Sequence, residues 1–486
     1  MRRWYPSTFP VAYLVVVAAL LSPLLLFPLI PGSGFHDNQR IVEVFCSITV
    51  IIVFAVYLVR NRLVNRPGDF FLIGLLAIFF VLGLVSSLFA YSTRHALFEW
   101  ANSLSLFGMS CFIAREMLRK GDVFLDQILR LCGIGCVFYI FVEAVVYAVL
   151  IASGKQPPNG ALIFGFDNYR FFNHVQTVTL PLLCLWVSRT DSGGKKMFAW
   201  SVASIWWTLL FLSTGRGTFI GVLAGVCVTL FYFRKTAFPW CRLMLWTALA
   251  GLGLYFLFYV LVPISLGLQP FGFLFSVVDR TIENPASSRW PLWRRAWEMT
   301  LAHPWLGAGP LHFAHYGRDV QIGAHPHNWV LQIASEWGIP ALICLMTAIA
   351  LGLKKLLAVR EHLEPTDSKN YLTLAALLTI AVAILVDGLV SGLIVMPTSQ
   401  LWIVLYVGCA WGWVASMTQV KAATTMRLFP AMRIGGLIGA VMLIYFLGVG
   451  LWPEIGNLPF YEEKNLQKDI YTNPVYRPRI WLGGYF

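Results

Sequence analysis

Arg216 stands in Ser213-Thr214-Gly215-Arg216-Gly217, a short polar turn between two apolar runs. A glycine on each side lets the turn close and leaves backbone N–H groups near whatever the guanidinium binds, an arrangement suited to a phosphate. The competing assignment is an interfacial arginine that snorkels to lipid headgroups. Further along, Arg280, Arg289, Arg294, Arg295 and Arg318 share one segment with Trp290, Trp293, Trp297 and Trp305. Residues 288–302 read as a helix lying at the membrane surface, and the spacing of Arg289, Arg294 and Arg295 keeps them from sharing one face. His325-Pro326-His327-Asn328 leads straight into an apolar run holding Gln332 and Glu336. A histidine there, with a near-neutral pKa and an asparagine beside it, suits a general base or a hydroxyl-orienting group. As a zinc set, His-x-His lacks a third histidine or a nearby outer carboxylate pair. Arg170, Asn173, His174 and Gln176 form a further polar group at the mouth of another run. Glu143, Glu336 and Asp387 lie inside apolar runs, where a charge is costly, and should face the interior of a bundle.

The elements that must position these residues are membrane helices. The chain is 58% hydrophobic and 12% charged with a mean hydropathy of +0.71, far from a water-soluble domain. Most of it falls in runs of about 18–24 residues, the length a helix needs to cross a ~30 Å hydrocarbon layer. The expected fold is all-α and polytopic, with about thirteen spans: 11–30, 41–59, 70–90, 96–114, 131–152, 173–188, 197–213, 217–233, 243–266, 328–352, 371–393, 399–417 and 434–451. Arg2 and Arg3 before an apolar run resemble a signal peptide, but the run is too long and lacks an Ala-x-Ala site, so it reads as a retained span. Most of the 36 basic residues then fall on one side in short connections, among them Arg60, Arg62, Arg66, Arg115, Arg119, Lys120, Arg189, Arg234, Lys354, Lys421 and Arg427. That face should be cytoplasmic, with the N-terminus inside and the C-terminus outside a bacterial inner membrane. The net charge of +13 is therefore a topology signal and not a nucleic-acid footprint. The nine cysteines fall in spans or at their inner ends and offer no disulfide framework.

The expected organisation is N-terminal transmembrane helices over 1–152, helices with the Arg216 turn over 153–266, a long periplasmic loop at 267–327, C-terminal helices over 328–451 and a periplasmic tail at 452–486. A loop of that length is usually functional or disordered. All the residues singled out outside the spans fall on the outer side, where they could surround one site. No internal repeat emerges, a feature that would have favoured a transporter.

Several motifs in order resemble the O-antigen ligase superfamily, which also holds bacterial protein O-oligosaccharyltransferases and O-antigen polymerases. They are Ser213-Thr214-Gly215-Arg216-Gly217 followed by a span, the arginine- and tryptophan-bearing segment, His303-Pro304-Trp305-Leu306-Gly307-Ala308-Gly309, and His327-Asn328 with Gly338 downstream. The likeness runs over about residues 160–400. It implies a GT-C-like membrane enzyme that takes an undecaprenyl-diphosphate-linked glycan as donor and needs no metal or nucleotide cofactor. Arg216 and Arg289 resemble the arginines that bind the donor diphosphate, and His327 the histidine that acts on the acceptor hydroxyl, giving inversion in a single displacement. Arg170, Asn173, Gln176, Arg294, Arg295, His325 and Asn328 are the expected substrate-binding residues around this catalytic set. Ala341 stands where ligases usually carry Gly, Thr or Tyr, and the thirteenth span and tail are additions; both depart from the lipopolysaccharide ligases in particular. The acceptor stays open between lipid A–core, an exported protein such as pilin, and another lipid-linked glycan, with a slight lean to the protein-modifying branch. The tail, with Tyr461, Tyr471, Tyr476 and Trp481, either recognises the acceptor or caps the bundle. The rival class is a lipid-glycan flippase, with Glu143 and Asp387 lining a path.

Overall fold

The computed structural model describes all residues except 1–10, 61–69, 158–161, 192, 273, 277–281, 283–288, 321, 365–366, 419–428, 468–476 and 485. Arg2, Arg3, Arg62, Arg66, Arg280, Lys421, Arg427, Tyr471 and Tyr476 lie outside the described residues. The protein is an all-α polytopic membrane protein, and its described residues contain helices and no strand. The helices are α1 (Val11–Leu21), α2 (Phe35–Val59), α3 (Phe70–Phe89), α4 (Thr93–Lys120), α5 (Asp122–Ser153), α6 (Tyr169–Arg189), α7 (Gly194–Ser213), α8 (Arg216–Phe233) and α9 (Phe238–Tyr255). After them come α10 (Trp290–Ala302), α11 (Trp329–Trp337), α12 (Ile339–Ala358), α13 (Ser368–Asp387), α14 (Pro397–Met417), α15 (Pro430–Leu451) and α16 (Leu458–Gln467).

Among the described residues, nine helical stretches are long and apolar enough to cross a bilayer, one of them Arg216–Ser265, which joins α8 and α9. The remaining expected spans differ for physical reasons. The run 11–30 is helical only over the 11 residues of α1 and a 3-10 turn at Ser22–Leu24 with Pro23 inside it, about half of what a ~30 Å layer needs. The helices α6 and α7 have 21 and 20 residues but are not among the nine. In α6, every residue from Phe171 to Val187 is buried, including Asn173, His174, Gln176, Thr177 and Thr179. A helix walled in by other helices meets no lipid, so polar side chains on it can be satisfied by neighbours.

The run 328–352 is likewise two helices, α11 and α12, broken at Gly338. Gly338 has φ +90°, and a Cβ there would stand 2.3 Å from the Trp305 carbonyl oxygen. Both facts restrict the position to glycine.

The central helix α6 packs against α5, α7, α13 and α14, while α13 also lies along α8. Large apolar side chains such as Phe45, Phe138, Phe231 and Trp246 remain exposed on the outer helices, the surface expected to face acyl chains. At one end of the bundle the Arg189 guanidinium binds Asp126 at 2.6 Å and Asp122 at 3.3 Å, with Lys369 reaching both carboxylates. The opposite ends of α6 and α13 carry Arg170 and Asp387, and Arg216 opens α8 beside them.

The carboxylates that the sequence places in apolar runs have structural partners, Asp387 among them through Thr177. Glu143 accepts a hydrogen bond from the Phe164 N–H at 2.7 Å, pinning the loop before α6. Glu336 forms a buried ion pair with Arg479.

Candidate active site

The site grows from two helix N-termini. Asn168 caps α6, its Oδ1 accepting from the Arg170 N–H at 3.0 Å, so that Tyr169 and Arg170 open the helix. Beside it, α7 ends at Thr214 in the left-handed region (φ 49°, ψ 54°), and its N–H closes on the Leu210 carbonyl at 2.8 Å. A β-branched residue there carries backbone strain. The flanking glycines are explained by close approach. A Cβ on Gly215 would meet Asn173 Cγ at 2.5 Å, and one on Gly217 would meet Asp387 Oδ1 at 2.2 Å. Asn173 in turn donates to Ser213 Oγ (2.6 Å) and Gln176 Oε1 (3.0 Å), while Thr218 donates to the Asn173 carbonyl (2.8 Å). Thr177 donates to Asp387 Oδ2 at 2.5 Å. This lattice fixes the Arg216 turn to α6 and α13.

Above it opens a cleft of about 180 Å³ lined by Tyr169, Arg170, His174, Arg216, Arg289 and Asp387, among others. Arg289 is half-buried at the start of α10. Burial and then repulsion from Arg170 and Arg216 lower its pKa to about 10, against the attraction of Asp387. It stays protonated at neutral pH, so the cleft gathers three guanidiniums around one carboxylate and favours a multiply charged anion.

His327 stands close enough to Arg289, His174 and Arg170 for their charges to act on it. Burial, followed by repulsion from those three groups in that order, holds its pKa well below the usual histidine value. The imidazole is therefore neutral at pH 7 and keeps a lone pair for a proton. Its backbone is left-handed at φ 54°, and its N–H donates to His325 Nδ1 at 3.3 Å. The two rings lie 4.0 Å apart. His325 is buried and its pKa is likewise pushed well down, by burial first and His327 second.

The structure brings Arg170, Asn173, Arg216 and Arg289 to the cleft, with His327 and His325 beside it. Gln176 lies deeper, donating to the Trp206 carbonyl at 2.8 Å. Asn328 is the N-cap of α11, its Oδ1 accepting from the Val330 and Leu331 N–H groups. Arg294 and Arg295 are not brought in. Arg294 is 76% exposed and pairs with Glu298, and Arg295 pairs with Asp319.

His174 and Asp387 line the cleft although neither was in the expected binding set. Their residue types gave the signal: His174 stands in the polar group with Arg170, Asn173 and Gln176, and Asp387 is a carboxylate inside an apolar run. Arg479 had none. Its charge is held against burial by Glu336 and Glu99, which keep its pKa raised. Among the described residues, no group of three or more His, Cys, Asp or Glu side chains is arranged to hold a metal ion.

No curated protein matches the chain. Residues 201–346 match the family model described as O-Antigen ligase, a stretch that includes Arg216, Arg289 and His327 but not Arg170, His174, Asp387 or Arg479. This match supports the chain's resemblance to the O-antigen ligase superfamily, membrane enzymes of ligase or polymerase type that act on lipid-linked glycans.

Proposed function

We propose that this protein is an inverting glycosyltransferase of a bacterial inner membrane, moving a glycan from undecaprenyl diphosphate to an acceptor hydroxyl at the periplasmic face. The observation that carries the reading is the convergence of Arg170, Arg216 and Arg289 on one cleft with the neutral imidazole of His327 beside them. A sugar diphosphate is the anion that fits such a cleft, and its polyprenyl tail would lie against the apolar exterior of the bundle. The acceptor hydroxyl attacks the anomeric carbon from the face opposite the diphosphate. The new C–O bond forms as the bond to the diphosphate oxygen breaks, the hydroxyl proton passes to His327, and undecaprenyl diphosphate leaves with the bonding pair. Negative charge grows on the leaving oxygen, where the guanidiniums are already in place and need little reorganisation. Neither a metal nor a nucleotide has a step in this scheme. The acceptor is a protein such as pilin, lipid A–core or a second lipid-linked glycan.

The segments divide accordingly: the turn at 213–217 and the loop 267–327 supply the donor site, and the end of that loop, just before the N-cap of α11, supplies the base. The test is transfer by purified protein in detergent or liposomes. His327→Ala and Arg216→Ala should abolish product while leaving the protein inserted and folded; normal transfer by either removes the mechanism. Mass analysis of lipopolysaccharide and pilin from a deletion strain, beside accumulated lipid-linked glycan, identifies the acceptor. Movement of an intact lipid-linked glycan with no new glycan product would make the protein a flippase instead.

A further inference from the structure

The C-terminal tail reaches the histidine segment through one buried side chain. Arg479 is 1% exposed. Its Nη1 and Nη2 donate to Glu336 Oε1 and Oε2 at 2.9 and 3.2 Å, a two-pronged pair with a fully buried carboxylate. Nη1 also donates to the Ala324 carbonyl at 3.3 Å. Ala324 immediately precedes His325, and Glu336 lies near the C-terminal end of α11, the helix that begins just after His327 and Asn328. One guanidinium thus holds both ends of the stretch that carries His327.

The backbone of Arg479 is itself anchored from behind. The Arg479 carbonyl accepts from Arg40 Nη2 at 2.9 Å and lies 3.2 Å from His36 Nε2, both on α2. The tail closes a turn in which the Arg477 N–H donates to the Leu482 carbonyl, and the Leu482 N–H donates to Asp37 Oδ1 at 2.7 Å. Glu336 Oε1 additionally accepts from the Phe313 N–H at 3.0 Å. These contacts run from α2 through the tail to the histidine turn.

Such an arrangement is poorly accounted for by stability alone. A buried ion pair loses so much hydration that replacing both partners with apolar residues is often neutral or stabilising. His327, in contrast, occupies a left-handed backbone conformation that persists only where its surroundings impose it. We propose that Arg479 is a positioning residue for His327, making the tail a part of the transfer machinery. This inference rests on the transferase reading above.

The test compares wild type with Arg479→Lys and with the double variant Arg479→Met/Glu336→Leu, which exchanges the pair for apolar side chains. Each is purified, its folding is followed by thermal unfolding, and transfer is measured against donor concentration and pH. The expected result is a ten- to hundredfold fall in kcat in both, with the KM for donor within twofold of wild type. The acid limb of the kcat profile should move to higher pH as His327 leaves its half-buried seat, a shift that a merely structural role would not cause. A kcat within twofold of wild type in either folded variant overturns the proposal. So does a loss of activity that only tracks the loss of folded protein. Wild-type protein that transfers nothing from an undecaprenyl-diphosphate glycan fails the functional reading instead, and the two failures are separate.

Discussion

Replacing Arg289 with Gln tests the electrostatic design of the cleft most directly. The guanidinium is half-buried and carries a full charge at neutral pH. At about 4 Å from a phosphate oxygen and an effective dielectric of about 20, a unit charge is worth roughly 4 kcal/mol. Part of that acts on charge already present in the bound donor and appears in KM. The part acting on charge that develops as the glycosidic bond breaks appears in kcat. If half of one charge develops, kcat falls by about 2 kcal/mol, or ~30-fold, with an upper range near the ~1,000-fold seen when one oxyanion donor is removed.

The same substitution has a second, independent consequence. His327 must be neutral to accept a proton, so activity falls as pH drops through its pKa. In wild type that pKa is well below 6.5, held there by burial and then most strongly by the charge of Arg289. Removing the positive neighbour raises the pKa, so the acid limb of kcat/KM should move to higher pH. The assay is glycan transfer by purified protein across pH 4–8 with saturating and limiting donor. A kcat within twofold of wild type, or an acid limb that stays put or moves down, refutes the reasoning. Arg294→Gln is the control: its exposed pair with Glu298 is worth at most about 1 kcal/mol, and transfer should stay within twofold.

Gly217→Ala puts a Cβ against Asp387 Oδ1; the forced shift should cost about 1–3 kcal/mol, read as earlier thermal inactivation together with a raised donor KM, and unchanged behaviour would contradict the packing. Glu143→Ala leaves the Phe164 N–H without its acceptor and should lower stability by about 1–3 kcal/mol, whereas Glu143→Gln, which keeps an oxygen, should lose less than about half of that; equal losses in thermal unfolding would argue that charge and not hydrogen bonding matters. Transfer should persist in excess chelator, and a loss that zinc or magnesium restores would replace the metal-free scheme.

The sequence by itself determined the solvent and the repeating unit of this protein. Long apolar runs with few charges can satisfy their backbone only as helices in a bilayer, and the residue types at 213–217 and 325–328 were local enough to suggest the anion site and the base proposed above. Local signals also misled where a contact outside the window decided the outcome. The run 11–30 reads as one span, but a proline and a 3-10 turn end its helix early. Residues 328–352 read as one span because nothing in hydropathy reveals that Trp305 presses on Gly338.

Tertiary structure alone decided which arginines meet. Arg289 caps α10 and Arg294 lies within it, yet only the first reaches the cleft with Arg170 and Arg216, while Arg294 stays exposed in its pair with Glu298. The placement of Arg479 was beyond any sequence pattern. A charge 143 residues from its carboxylate partner is buried only because α2, α11 and the tail converge on it, and spacing along a chain carries no record of that meeting.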